Sequence, residues 1–171
     1  QPLYTTVTQI LHMSQNNYDI KIVEALLKSE NHIRGLARIL GTNQTTIARK
    51  VNELYKNNIV DFRQEGKNKV VFLKKSLEAK QYAYNVEAQK LLEILKKYPY
   101  LRRIIELIKR NKKIVLAILF GSYSKGIGKK ESDIDIYLDT TDNKLKEAVE
   151  LVDSRISVKT GRYNKDSLLI K

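Results

Sequence analysis

Two short apolar runs, residues 114–120 and 134–138, are joined by a loop rich in glycine and lysine, and aspartates alternate with the apolar residues entering the second run. In full the segment reads LFGSYSKGIGKKESDIDIYL. This order predicts a buried strand, a turn at Gly121-Ser122 opening a short helix, a basic loop, and a second strand. Asp133 and Asp135 stand two apart, so an extended backbone sends both carboxylates to one face and Ile134, Ile136 and Leu138 to the other. Neighbouring carboxylates repel unless a cation lies between them. A hard dication, Mg²⁺ or Mn²⁺, takes oxygen ligands and in turn binds phosphate oxygens. Gly121 permits close backbone approach, and the turn's N–H groups with the Ser122 hydroxyl suit a phosphate. Lys125, Lys129 and Lys130 are placed to balance further phosphate charge.

A hydrophobic strand, Gly-Ser, a basic loop, Ser-Asp-x-Asp and a second strand together resemble the nucleotidyltransferase superfamily typified by DNA polymerase beta. The short domain looks like the minimal archaeal and bacterial members, some of which are antitoxins that adenylylate a partner toxin. The resemblance implies that Gly121 and Ser122 bind the triphosphate of ATP or another nucleoside triphosphate, and that Asp133 and Asp135 hold the metal and are catalytic. Lys125 and Lys130 join the nucleotide-binding set. The implied reaction is attack by a hydroxyl on the α-phosphorus, with pyrophosphate released. Active members carry a third carboxylate on a later strand. Here the strand expected over 155–159 offers Ser157 or Lys159, while Asp139, Asp153 and Asp166 lie elsewhere. Nucleotide and metal binding therefore have stronger support in the sequence than turnover.

Upstream, helical spacing of apolar residues predicts helices over 18–27, 33–40 and a third opening near 43. Gly41 suits a helix C-terminus, and Thr42 or Asn43 suits the next N-cap. Ile47, Val51 and Leu54 form the inward stripe of the third helix, and 60–63 and 69–73 read as a hairpin around 65–68. The stretch IRGLARILGTNQTTIARKVNELYKNNIV resembles a winged helix-turn-helix. That family places its third helix in the major groove of double-stranded DNA. The implied groove-facing residues are Gln44, Thr45, Thr46, Arg49 and Lys50, with Asn43 near the entry. Arg63, Lys67 and Lys69 on the wing would meet phosphates. Gln pairs with adenine and Arg with guanine, so the residue types fit. Winged helices also serve as protein-binding or dimerising modules.

The fold class expected is α+β: a winged helix of three helices and a hairpin over 17–75, linking helices over 76–110, and a small mixed nucleotidyltransferase-like domain over 111–171. Residues 1–16 read as an extension set apart by their composition, and the last helix, from 164, reads as cut short. The linking segment carries an imperfect stripe of Leu77, Val86, Leu91, Leu92 and Leu95. It either dimerises the chain or packs on its own domain. The formal net charge of +13 favours a polyanionic partner. With no Cys and two His, a disulfide framework and a Cys-based zinc site are excluded. No apolar run is long enough to span a bilayer, and a cytoplasmic location is expected. Two functions stay open: an enzyme transferring a nucleotide, AMP from ATP in the first instance, to a protein or nucleic-acid hydroxyl, or a transcriptional regulator whose second domain senses a nucleotide or dimerises. An antitoxin that represses its operon and modifies a toxin-like partner would join the two.

Overall fold

The computed structural model describes residues 18–66, 68–112 and 114–163. It divides into two compact units, Gln1–Lys90 and Leu91–Lys171. The expected extension over 1–16, Lys67 and the helix from 164 lie outside the described residues.

In the first unit, α1 (Tyr18–Lys28), β1 (Asn31–His32), α2 (Ile33–Ile39), α3 (Gln44–Lys56), β2 (Val60–Glu65) and β3 (Asn68–Leu73) follow one another. The helices bury one stripe each: Ile22 and Val23 from α1, Leu36 and Ala37 from α2, and Ile47, Val51 and Leu54 from α3. Gly41 adopts the left-handed φ of +61°. The Asn43 side chain accepts the Thr46 N–H at 2.8 Å, so Asn43 is the N-cap of α3. β2 and β3 pair antiparallel from Val60↔Leu73 to Glu65↔Asn68, leaving a two-residue turn with Gly66 at φ +58°. The strands extend farther than the apolar run suggests, because ladder pairing continues into polar residues at the wing tip. β1 was not anticipated. Its two polar residues pair with β3 as Asn31↔Val71 and His32↔Val70, giving sheet order β1-β3-β2. Three helices and this wing make a winged helix-turn-helix.

The expected linking segment is shared between the units. α4 (Leu77–Lys97) is capped by Ser76, whose hydroxyl accepts the Ala79 N–H at 3.1 Å. Ala79 and Val86 of α4 join the first unit's core. The leucine stripe does not form as a buried seam: Leu77 and Leu92 are exposed. α5 (Leu101–Arg110) buries Leu101, Ile104 and Ile108 in the second unit's core.

The second unit continues with β4 (Ala117–Phe120), α6 (Gly121–Ser124), β5 (Ile134–Asp139), α7 (Asn143–Glu150) and β6 (Ile156–Gly161). Its sheet order is β4-β5-β6, with β4 antiparallel and β6 parallel to β5. The parallel step needs a crossover, which α7 provides. The strand expected over 114–120 is shorter and not buried: pairing begins at Ala117, and Val115 is 90% exposed. An edge strand meets the core from one side only, so an apolar run there does not guarantee burial. Ile134, Ile136 and Leu138 are buried with Tyr123, Leu145, Val149 and Val158. No described helix is long and apolar enough to cross a membrane.

Candidate functional site

Asp135 sits on the middle strand of the second unit, between Phe120 of β4 and Ser157 of β6. Asp133 is exposed immediately before the strand. Burial alternates as expected, with Ile134 and Ile136 in the core and Asp133 and Asp135 outside it. Since Phe120 pairs with Asp135, the next residue, Gly121, begins its turn beside the acid. Gly121 has φ +71°, and a Cβ built on it would lie 2.4 Å from Asp135 Oδ2. The backbone of the turn and the carboxylate are therefore in contact, and only glycine permits it.

Ser122 and Tyr123 follow on α6. Tyr123 is fully buried, and its hydroxyl donates to the Lys129 carbonyl at 2.7 Å. Burial, then the neighbouring Tyr100 hydroxyl, pushes its pKa up to about 12, so it stays a donor at ordinary pH. The Tyr123 ring packs edge-on against Tyr98 at 4.8 Å and Tyr100 at 6.3 Å. The side chains of Lys125, Lys129 and Lys130 belong to exposed residues of the loop between turn and acids.

The neighbours of Asp135 and Tyr137 across the parallel ladder are Ser157 and Lys159, both exposed. Neither is an acid. Asp153 is bound to Arg155, with Oδ1 accepting Nε at 2.9 Å and Oδ2 accepting Nη2 at 2.6 Å. That hydrogen bonding holds its carboxyl down at about 2 and raises the Arg155 pKa. Asp139 accepts the Tyr163 N–H at 2.9 Å, four residues along β5 from Asp135. Among the described residues no group of three or more His, Asp or Glu side chains gathers as a complete metal cage. Carboxylates such as Asp133 and Asp135 are hard oxygen donors of the type Mg²⁺ takes, with its remaining ligands from phosphate and water.

On the winged helix, Gln44 and Thr45 are exposed at the start of α3, and Thr46 is half-buried beneath them. Arg49 is exposed and pairs with Glu53 at 2.8 Å. Lys50 is turned to its own domain: Nζ lies 2.8 Å from Glu53 and 3.3 Å from Asp19 of α1, and Glu53 foremost raises its pKa. On the wing, Arg63 bonds Glu30 and Glu65, and Lys69 Nζ lies 5.7 Å from the Phe62 ring. Two basic residues that the sequence reading did not single out lie near the start of α3. Arg34 and Arg38, one turn apart on α2, line an open concavity with Asn43 and Gln44. Their i, i+4 spacing puts both on one face of α2.

Among curated proteins no relative matches. Similar solved structures include the transcriptional repressor BigR from Xylella fastidiosa, 20% identical, with 46% of this chain and 77% of that one covered and a TM-score of 0.39. The homodimeric winged helix-turn-helix DNA-binding domain of a possible ArsR-family regulator from Mycobacterium bovis is 22% identical, with 49% and 79% covered and a TM-score of 0.40. The transcriptional regulator BldR from Sulfolobus solfataricus is 16% identical, with 57% and 73% covered and a TM-score of 0.41. Residues 102–167 match the family model described as Polymerase beta, Nucleotidyltransferase, which takes in all but the first residue of α5 and the whole Gly-Ser and Asp-x-Asp region. A winged helix-turn-helix fold in the first unit thus precedes a segment, residues 102–167, that matches the polymerase beta nucleotidyltransferase model.

Proposed function

We propose that this is a DNA-binding protein whose C-terminal unit binds a nucleoside triphosphate together with Mg²⁺ and transfers its nucleotide, AMP in the case of ATP, to a hydroxyl of a protein or nucleic acid. The observation that carries the reading is the contact of Gly121 with Asp135. It sets a turn suited to phosphate against a carboxylate suited to a dication, at a spacing one ion can bridge. Asp133 and Asp135 would hold the ion, which when bound lowers the cost of negative charge on the triphosphate. Gly121 and Ser122 would seat the phosphate tail, and Lys125 and Lys130 would neutralise its outer oxygens. The acceptor hydroxyl would attack the α-phosphorus as the bond to the bridging oxygen breaks and pyrophosphate departs, the hydroxyl proton passing to solvent. Gln44, Thr45, Thr46 and Arg49 would read the DNA, with Asn43, Arg34 and Arg38 near the entry of α3. Arg63, Lys67 and Lys69 would meet the phosphates, once Arg63 exchanges its glutamates for them.

A second reading has its own observation. Ser157 occupies the place beside Asp135 where a third acid is expected. On this reading the unit binds the nucleotide without transferring it and serves a regulator as a sensor.

The test is equilibrium binding of ATP with Mg²⁺ or Mn²⁺, followed by incubation with labelled ATP and a cell extract. Asp133→Asn combined with Asp135→Asn should abolish metal-dependent binding. Unchanged affinity in that double variant removes the site from consideration. A labelled product that disappears with the same variant selects transfer over sensing.

A further inference from the structure

The loop that separates the Gly-Ser turn from Asp133 is gripped by its main-chain carbonyls. Lys97 Nζ donates to the Gly126 carbonyl. Tyr98 donates to that of Gly128 at 3.1 Å, Tyr123 to that of Lys129 at 2.7 Å, and Arg155 Nη1 to that of Lys130. Ser132 closes the loop on itself, its N–H donating to the Lys129 carbonyl at 3.1 Å and its hydroxyl accepting the Lys129 N–H at 3.0 Å. Gly128 lies so close to the Tyr123 ring that a Cβ would stand 2.8 Å from it. The donors come from the C-terminal end of α4 and the residue after it, from α6, and from the turn before β6, three separate parts of the second unit.

Arg155 is the hub of this grip. Its Nε and Nη2 are spent on Asp153, its Nη1 reaches both the Lys130 carbonyl and, at 3.3 Å, the Tyr123 hydroxyl, and its Cζ lies 5.2 Å from the Tyr100 ring centroid. A planar guanidinium makes these bonds at once, and an ammonium cannot. Turning four carbonyls inward leaves the loop lysines on its solvent side.

We propose that Arg155 is a positioning residue, which through the Tyr123 hydroxyl and the Lys130 carbonyl fixes the loop over 126–130 and thereby the spacing between the turn at Gly121 and the carboxylate of Asp133. The consequence for ligand binding rests on the nucleotide-binding reading; the fixing of the loop does not.

The full chain carrying Arg155→Ala, Arg155→Lys or Tyr123→Phe tests it, with two measurements on each. The first is the rate of tryptic cleavage after Lys129 and Lys130, relative to other sites, followed by mass spectrometry. The second is the affinity for ATP with Mn²⁺. Loss of charge-assisted hydrogen bonds of this kind should speed cleavage and weaken binding about tenfold each in Arg155→Ala. Tyr123→Phe, which keeps the ring and loses only the hydroxyl, should shift both in the same direction, and Arg155→Lys should not restore them. Cleavage rates unchanged in Arg155→Ala and Tyr123→Phe overturn the proposal. So does faster cleavage with unchanged affinity where the parent chain binds ATP. If the parent chain does not bind ATP, the nucleotide reading falls, and the cleavage rates still decide whether Arg155 fixes the loop. Should Arg155→Ala fail to fold, Tyr123→Phe carries the test.

Discussion

Gly121 combines two demands that no other residue meets together: a left-handed φ of +71° and a carboxylate 2.4 Å from where a Cβ would be. An alanine that keeps this turn must hold the left-handed φ and push Asp135 away. The first alone costs about 1–2 kcal/mol. The expected outcome is a lowered melting temperature together with loss of ATP binding, read by calorimetry on one sample. Asp153 makes a separate prediction in acid. Its carboxyl falls from an ordinary 3.8 to about 2 in the folded chain, chiefly through the Arg155 hydrogen bonds. A depressed carboxylate pKa stabilises the fold above the unfolded value, and that stability is lost as pH falls through the folded one. Melting temperature should therefore drop between about pH 4 and pH 2, and Asp153→Asn should flatten that limb. An equally steep limb in the variant would assign the acid sensitivity to other groups.

Among elements, α3 shows how far a sequence reaches. Its stripe of Ile47, Val51 and Leu54 and its cap were legible because both are local patterns, repeating within a turn or two of one helix. The alternation Asp133-Ile134-Asp135-Ile136 was legible for the same reason. What escaped depended on partners distant in the chain. The strand at Asn31–His32 exists only because β3 offers it an edge. The contact of Lys50, a residue the resemblance makes groove-facing, with Asp19, 31 residues away, shows in no local pattern. The grip of Arg155 on the Lys130 carbonyl spans 25 residues. The cap itself is testable: Asn43→Ala leaves the Thr46 N–H without its acceptor and should cost about 1 kcal/mol, measured by urea unfolding. No change in the midpoint would mean that water serves that N–H as well as Asn43 does.

For the molecule as a whole, charge sets the terms of association. The +13 net charge includes 12 Lys and Arg against 6 Asp and Glu in residues 17–75. Such a surface binds polyanions through released counterions, so duplex affinity should fall steeply as salt rises. Arg49 must first leave Glu53, an exposed pair worth only about 0.2–1 kcal/mol. Arg49→Ala should weaken duplex binding and, if the contact is to phosphate, flatten the slope of log affinity against log salt by about one. Fluorescence anisotropy across a salt series measures both, and an unchanged curve would place the DNA surface elsewhere.

The second unit carries its acid on a strand with a neighbour on either hand. Such a residue has no freedom to slide, since moving its backbone severs two ladders together. Inserting or deleting one residue within β5 would swap Asp135 with a core isoleucine and ruin fold and chemistry in one step. Gain or loss of turnover in a lineage of such chains has to come instead by exchanging a side chain in place, and the nearest lateral position open to that exchange is 157.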